Sequence, residues 1–412
     1  MPLLNSGKEQ KANTSSMKLM TVKLTAIVLL VAGVNFVYGQ DTINVVTTAV
    51  PFLRISPDAR AGGMGDLGVA TSPDANSPFY NLSKVPFAKN DFGIGLTYTP
   101  WLKDLGLNDV YLLAMSGFYK LDDQQAIAAS IRYFSLGNIA FTDLSGNDFG
   151  EGRPREFGVD FGYTRKLSDR LSLGIALRYI HSNLAGNLVQ NSTTYKAGNA
   201  VSGDLSMYYT TAKENGEGWN FGVAITNLGT KIGYTNDATQ KDYIPANLSL
   251  GATYTRVVDE NNKITFGMDL HKLLVPTPPR FTGDFSTDSA LIANYRNKSV
   301  VSSWFSSFGD APGGFSEELK EVQFSLGAEY SYNDQFFVRA GYFYEDKTKG
   351  NRKYFTVGLG IKYNVFGLNF SYLVPSGSGV NRNPLSNTLR FGLVFDLDKG
   401  AGDSGGSTPV NQ

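Results

Sequence analysis

From Asp91 to Leu397 the chain breaks into short segments in which large apolar residues alternate with small or polar ones. In Phe92, Ile94, Leu96 and Tyr98 the apolar set alternates with Gly93, Gly95 and Thr97. In Phe157, Val159, Phe161 and Tyr163 it alternates with Gly158, Asp160, Gly162 and Thr164. Period two puts the two sets on opposite sides of a strand. The pattern recurs at Leu171 to Tyr179, Phe221 to Ile225, Leu248 to Tyr254, Ile264 to Leu270, Val322 to Tyr332, Phe336 to Tyr344, Phe355 to Tyr363, Leu368 to Tyr372 and Leu389 to Leu397. Weaker copies lie at Val110 to Tyr119, Ala126 to Phe134 and Leu205 to Thr211. The reading is all-β, with about fourteen strands, an even number within the range of bacterial outer-membrane barrels.

The connections sort by parity. Those after even strands are short, as at Leu121 to Gln124, Leu167 to Arg170, Asp259 to Asn262 and Asn333-Asp334, whereas those after odd strands are mostly long, the longest running from Leu273 to Lys320. Short periplasmic turns and long outer loops are expected of a transmembrane antiparallel β-barrel, and a soluble sandwich has no reason to alternate its loop lengths. One face of the strands is Phe, Leu, Val, Ile and Tyr, to meet outer-membrane lipids. The other is small and polar with scattered charges (Arg132, Asp160, Arg178, Asp204, Asp269, Glu329, Arg339, Lys362, Arg390), expected to pair across the lumen. In a bilayer every backbone polar group must be paired internally, so strands span only as a closed barrel. Trp101 and Trp219 are expected in the aromatic girdles at the two interfaces.

The barrel is expected over residues 91–398. Ahead of it, the apolar run Leu24 to Val37 follows Lys18 and Lys23 and ends in Val37-Tyr38-Gly39, which reads as a signal peptide over 1–39 cut before Gln40, with extra leader before Met17. The run is shorter than the roughly 20 residues a spanning helix needs. Residues 40–90 are rich in small residues and carry Arg54, Asp58, Arg60 and Asp66, so they are placed as a plug in the lumen, these charges pairing with the wall. Residues 399–412 are Gly, Ser and Asp with little to bury and are expected to be a disordered tail. Both termini are expected on the periplasmic side.

Chemistry is sparse. With 37 basic and 37 acidic residues the net charge is zero, which removes the electrostatic footprint of nucleic-acid binding. There is no Cys, hence no disulfide, no thiolate metal site and no lipid-anchor cysteine. Only His181 and His271 exist, expected on an outer loop and at an inward strand end, so no Ser-His-carboxylate site is expected. No metal-ligand spacing and no cofactor site is read, and carboxylates at Asp143 to Asp148 are taken as solvated. The outer loop Ser299 to Phe315 carries Trp304, Phe305, Phe308 and Phe315 among Ser and Gly, where there is no lipid to face. They pack on the barrel mouth or form a partner-binding patch.

The segment Phe52-Leu53-Arg54-Ile55-Ser56-Pro57-Asp58-Ala59-Arg60-Ala61-Gly62-Gly63-Met64-Gly65-Asp66-Leu67-Gly68-Val69-Ala70-Thr71 closely resembles the opening of the PorV family, outer-membrane proteins of the type IX secretion system. Where the family has Trp-Asn-Pro-Ala-Lys, this chain has Tyr80-Asn81-Leu82-Ser83-Lys84. The resemblance implies a FadL-type barrel of fourteen strands with an N-terminal hatch. It further implies a shuttle that binds the C-terminal signal domain of secreted proteins at the translocon. The cargo would then pass to a surface attachment complex containing a sortase-like protease. A FadL-type transporter of small hydrophobic compounds is the alternative, because a fold does not choose its function.

Overall fold

The computed structural model describes residues 43–103, 106–142, 145–146, 148–186, 188–190, 193–237, 240–374 and 387–397; the signal-peptide and C-terminal-tail expectations lie outside them. Fourteen antiparallel strands close into one barrel, each paired with its neighbours in chain order. They are Phe92–Pro100, Val110–Lys120, Gln125–Leu136, Arg155–Lys166, Leu171–Asn183, Gly198–Thr210, Gly218–Gly229, Asn247–Val257, Asn262–Leu273, Gln323–Tyr332, Phe336–Tyr344, Lys353–Tyr363, Phe366–Val374 and Leu389–Leu397. The last strand pairs with the first, Phe92 opposite Leu397 and Tyr98 opposite Phe391, so no edge is left open.

Alternation sets the two faces. In Leu171–Asn183, Leu173, Ile175, Leu177 and Tyr179 point outward and are exposed, while Ser172, Arg178, Ile180 and Ser182 point inward and are buried. No helix among the described residues is long and apolar enough to cross a membrane. The short turns all lie at one end. There Asn333 and Asp334 (φ 53° and 51°) and Asn364 (φ 50°) adopt the left-handed backbone that tight hairpins demand and that Asn and Asp tolerate. Three long loops at the other end carry small two-stranded ribbons, such as Ile139–Thr142 with Asp148–Gly152.

Residues 43–90 contact inward side chains of the wall along its length, and their direction corrects the expected position of the N-terminal end. Asn44 N–H donates to Thr348 O (3.0 Å) and Ala49 N–H to Tyr243 O (2.9 Å), both partners in long loops. At the far end of the segment Lys120 Nζ donates to Ala88 O (3.3 Å) beside the short turns. The segment therefore enters at the long-loop end and descends to the start of the first strand. Val50, Phe52 and Leu53 form a buried cluster with Leu112, Phe134, Ile180, Ile232 and Trp101. Trp101, expected in a girdle, packs edge-on against Phe134 inside this cluster, whereas Trp219 is exposed on the outer face beside Phe221 and Tyr254. A large apolar ring next to the mouth is buried as soon as the segment supplies a partner surface.

Lower down, the turn at Met64-Gly65 lies against Gly327 and Gly341, where a side chain on the wall would meet its backbone. Asp269 accepts from the Gly68 and Val69 amides (2.7 and 2.9 Å). Asn81 caps the 3-10 turn Leu82–Phe87 by accepting from Ser83 N–H (3.1 Å), and its Nδ2 donates to Val69 O and Met207 O. Those bonds hold the turn with Leu82 where the resembled family has proline.

Candidate functional site

The four charges singled out in residues 43–90 have different partners. Arg60 lies between Glu329 of the wall (Nη2 to Oε1 2.9 Å) and Asp74 of its own segment (2.9 Å), and Arg339 donates to the same Glu329 (2.6 Å). Asp66 accepts from Tyr354 OH (2.6 Å) and faces Arg390 at 3.4 Å. Arg54 reaches Glu345 (3.3 Å), which follows the eleventh strand and also binds Arg352. Among the described residues Asp58 meets no wall charge: it caps the helix Ala59–Gly62 through the Arg60 and Ala61 amides and accepts from Asn76. Toward the short turns the lumen widens into a cavity of about 440 Å³ whose lining includes Arg60, Glu329, Arg339, Asp334 and Lys362.

The long-loop end is covered by residues 274–322, which contain three helices, Phe285–Asn297, Val300–Ser306 and Phe315–Lys320. The sequence pattern predicts loop here, although Asp284 and Ser299 are N-caps accepting from Thr287 and Ser302. Phe285–Asn297 buries no side chain of its own and is held at its C-terminal end. The Arg296 and Lys298 carbonyls accept from Lys231 Nζ (2.5 and 2.7 Å), and Tyr243 OH donates to Tyr295 O and Lys298 O. These donors satisfy carbonyls that a helix end leaves unpaired.

A buried cluster fixes the rest of the cap. Lys349, from the loop after the eleventh strand, binds Glu317 and Glu321 (2.7 and 2.9 Å), and Lys272, from the ninth strand, binds Glu318 and Glu321 (3.0 and 2.8 Å). Arg280 completes it on Glu317 (2.6 Å), and Asn44 Nδ2 donates to the same carboxylate (3.3 Å). Three cations thus meet three carboxylates. Burial by itself would raise the Glu317 carboxyl, but the Lys349 ammonium, the Gly313 amide and Arg280 hold it below its ordinary value.

The aromatic residues expected in this loop divide. Trp304 is half-buried and packs against a cluster of Val46, Tyr243, Ala246, Leu273, Leu274 and Val275, which makes it a strut of the cap. Phe305, Phe308 and Phe315 are exposed, at 76%, 52% and 75%. Phe281 and Phe285 are exposed in the same outer segment, outside Ser299 to Phe315. Their signal was the same: large apolar residues in a polar outer loop.

His181 lies within the fifth strand on its outward face, bonded to Asn199, and not in a loop. His271 points inward, its Nδ1 2.9 Å from Ser249 Oγ, a pairing made by strand register. Among the described residues no carboxylate holds the other ring nitrogen, and no group of three His, Cys, Asp or Glu side chains could hold a metal. The Asp143 to Asp148 loop is described only in part.

The family model of the type IX secretion system protein PorV matches residues 38–280. The chain belongs to the PorV family. It is therefore an outer-membrane protein of type IX secretion, and the short turns face the periplasm and the cap the cell exterior. The fold is similar to that of the Ralstonia pickettii toluene transporter TbuX, with a TM-score of 0.51 and 13% identity over 82% of this chain and 97% of that one. The toluene transporter TodX of P. putida matches with a TM-score of 0.46 and 10% identity, over 82% of this chain and 98% of that one. A Pseudomonas aeruginosa FadL homologue matches with 0.45 and 11%, over 86% and 99%. At these identities the likeness is one of fold. No curated protein matches the chain.

Proposed function

We propose that this protein binds the C-terminal signal domain of secreted proteins and shuttles them from the outer-membrane translocon to the surface attachment complex with its sortase-like protease. Membership of the PorV family supports the type IX setting. The observation that carries the binding role is the exposure of Phe305, Phe308 and Phe315 on a cap whose base is fixed by buried ion pairs. Aromatic side chains held on a rigid base lose little freedom on docking, which is what interface anchors need.

Residues 43–90 are read as a hatch that keeps the lumen closed while cargo is handled outside. Arg60, Glu329 and Arg339 form a charged floor that a hydrophobic solute would have to displace, which favours the shuttle over a transporter of small hydrophobic compounds. The protein is read as non-catalytic, since among the described residues no carboxylate orients the part-buried Ser249–His271 pair.

The test replaces Phe305 and Phe315 with Ala and measures cargo recovered with the tagged protein from membranes. Anchors of this kind each contribute about 2 kcal/mol, so recovery should drop by more than about tenfold while the boiled and unboiled gel mobilities stay normal. Full recovery by the folded variant would remove the cap from the binding surface. Loss of hydrophobic-compound uptake on deleting the protein, with cargo unaffected, would install the transporter reading instead.

A further inference from the structure

The outward wall should be evenly covered by large apolar side chains, and over most strands it is. An exception lies where the first four strands pass through the periplasmic half of the membrane. There Gly117 faces Ala129 across the second and third strands. Between taller neighbours these two small residues leave an apolar groove of about 510 Å³, walled by Ile94, Met115, Tyr119, Ile131 and Phe161.

Its depth can be read from the register. Gly117 is three residues from Lys120 and Ala129 four from Gln125, the periplasmic ends of their strands, or about 10–13 Å along the strand. Half of the roughly 30 Å hydrocarbon core is about 15 Å, so the groove sits within the inner leaflet. That leaflet of an outer membrane is made of phospholipid.

A cation stands at the matching height. Phe161 pairs with Ala129, and four residues further along the same outward face Arg165 reaches the periplasmic interface, exposed and opposite Gln125. Arg165 makes no salt bridge among the described residues. Asp122, in the neighbouring turn, interacts with it only at longer range, and its carboxylate is taken by the Gln124 and Gln125 amides (2.7 and 2.8 Å) and Gln125 Nε2 (2.8 Å). We propose that this groove is a binding site for one inner-leaflet glycerophospholipid, an acyl chain lying over Gly117 and Ala129 and the phosphate on Arg165. The proposal rests on the outer-membrane placement and is independent of the cargo-binding reading.

The groove explains the small residues as a recess shaped for a chain, and the lone guanidinium supplies the charge that a phosphodiester complements. Such a lipid would travel with the protein as an annular partner that ordinary bilayer lipids do not displace.

The experiment is native mass spectrometry of the detergent-purified full chain titrated with phosphatidylglycerol. Wild type should keep one phosphatidylglycerol after gentle activation. Ala129→Phe fills the recess from the outside and should abolish that adduct, while Val357→Phe, on an exposed outward position of another wall, should keep it. Arg165→Gln should weaken phosphatidylglycerol binding by about fivefold, as expected of one interfacial cation. Heat-dependent gel mobility confirms the fold of each variant, and Ala129→Leu, a smaller filling, substitutes if Ala129→Phe fails to assemble. Equal retention by the Ala129 and Val357 variants, or binding indifferent to Arg165, would overturn the site.

Discussion

Arg60 and Glu329 meet through two parallel hydrogen bonds, Nε to Oε2 at 3.1 Å and Nη2 to Oε1 at 2.9 Å, across a sequence separation of 269 residues. One residue belongs to the segment 43–90 and the other to the tenth strand. The bond therefore joins that segment to the wall, and Arg339, on the same carboxylate, joins the wall to itself.

Glu329→Ala should cost on the order of 3–5 kcal/mol, because it leaves the buried Arg339 guanidinium without its carboxylate and facing Arg60, which keeps Asp74. The double replacement Arg339→Met with Glu329→Met should cost less than Glu329→Ala alone, since the most buried cation goes together with its carboxylate and Arg60 keeps Asp74. Urea unfolding followed by gel mobility measures both, and a double variant weaker than the single one would contradict the account.

Gly341→Ala should unseat the Met64-Gly65 turn. A Cβ at Gly341 would lie 2.0 Å from Met64 C and 2.1 Å from Gly65 N, both backbone atoms that have nowhere to rotate. Overpacking of this kind typically costs about 1–3 kcal/mol. Gly203→Ala is the control, because the nearest atom to its Cβ would be at 3.5 Å. Lowered midpoint stability is expected for the first and not the second.

Ile43 should be reachable from outside the cell. It is 73% exposed, and its neighbour Asn44 is bonded to Thr348 in an outer loop. The chain has no Cys, so Ile43→Cys can be labelled alone with a membrane-impermeant maleimide on intact cells, while Glu260→Cys in a periplasmic turn should label only after lysis. The reverse pattern would invert the described direction of the segment.

The cap should loosen in acid. Glu317 is held below its ordinary value of 4.5, so its contribution is complete above that value and is lost as pH falls through the lower folded value. Pepsin cleavage within residues 274–322 should therefore rise as pH falls below the ordinary Glu value of 4.5, with the barrel band intact. Lys349→Met removes a cation that favours the ionised form and should move this opening to higher pH. A cap equally resistant across the range would show that the ion pairs do not hold it.

Strand positions and loop parity were legible in the residues because alternation is a local property: Leu173, Ile175 and Leu177 state their shared face within one strand. Membership of a closed fourteen-strand barrel followed from that count and parity, and the segment around Phe52 to Thr71 pointed to its family. Other features depended on what the barrel brings together from far apart. Trp101 turned inward and Trp304 became a strut because residues 43–50 supply them with apolar partners, and Ser249 met His271 by strand pairing. The direction of that segment, outer loops first and periplasm last, carries no periodic signal of its own. Only tertiary structure decided it, because closing the cylinder fixes which wall residues each inner residue can reach.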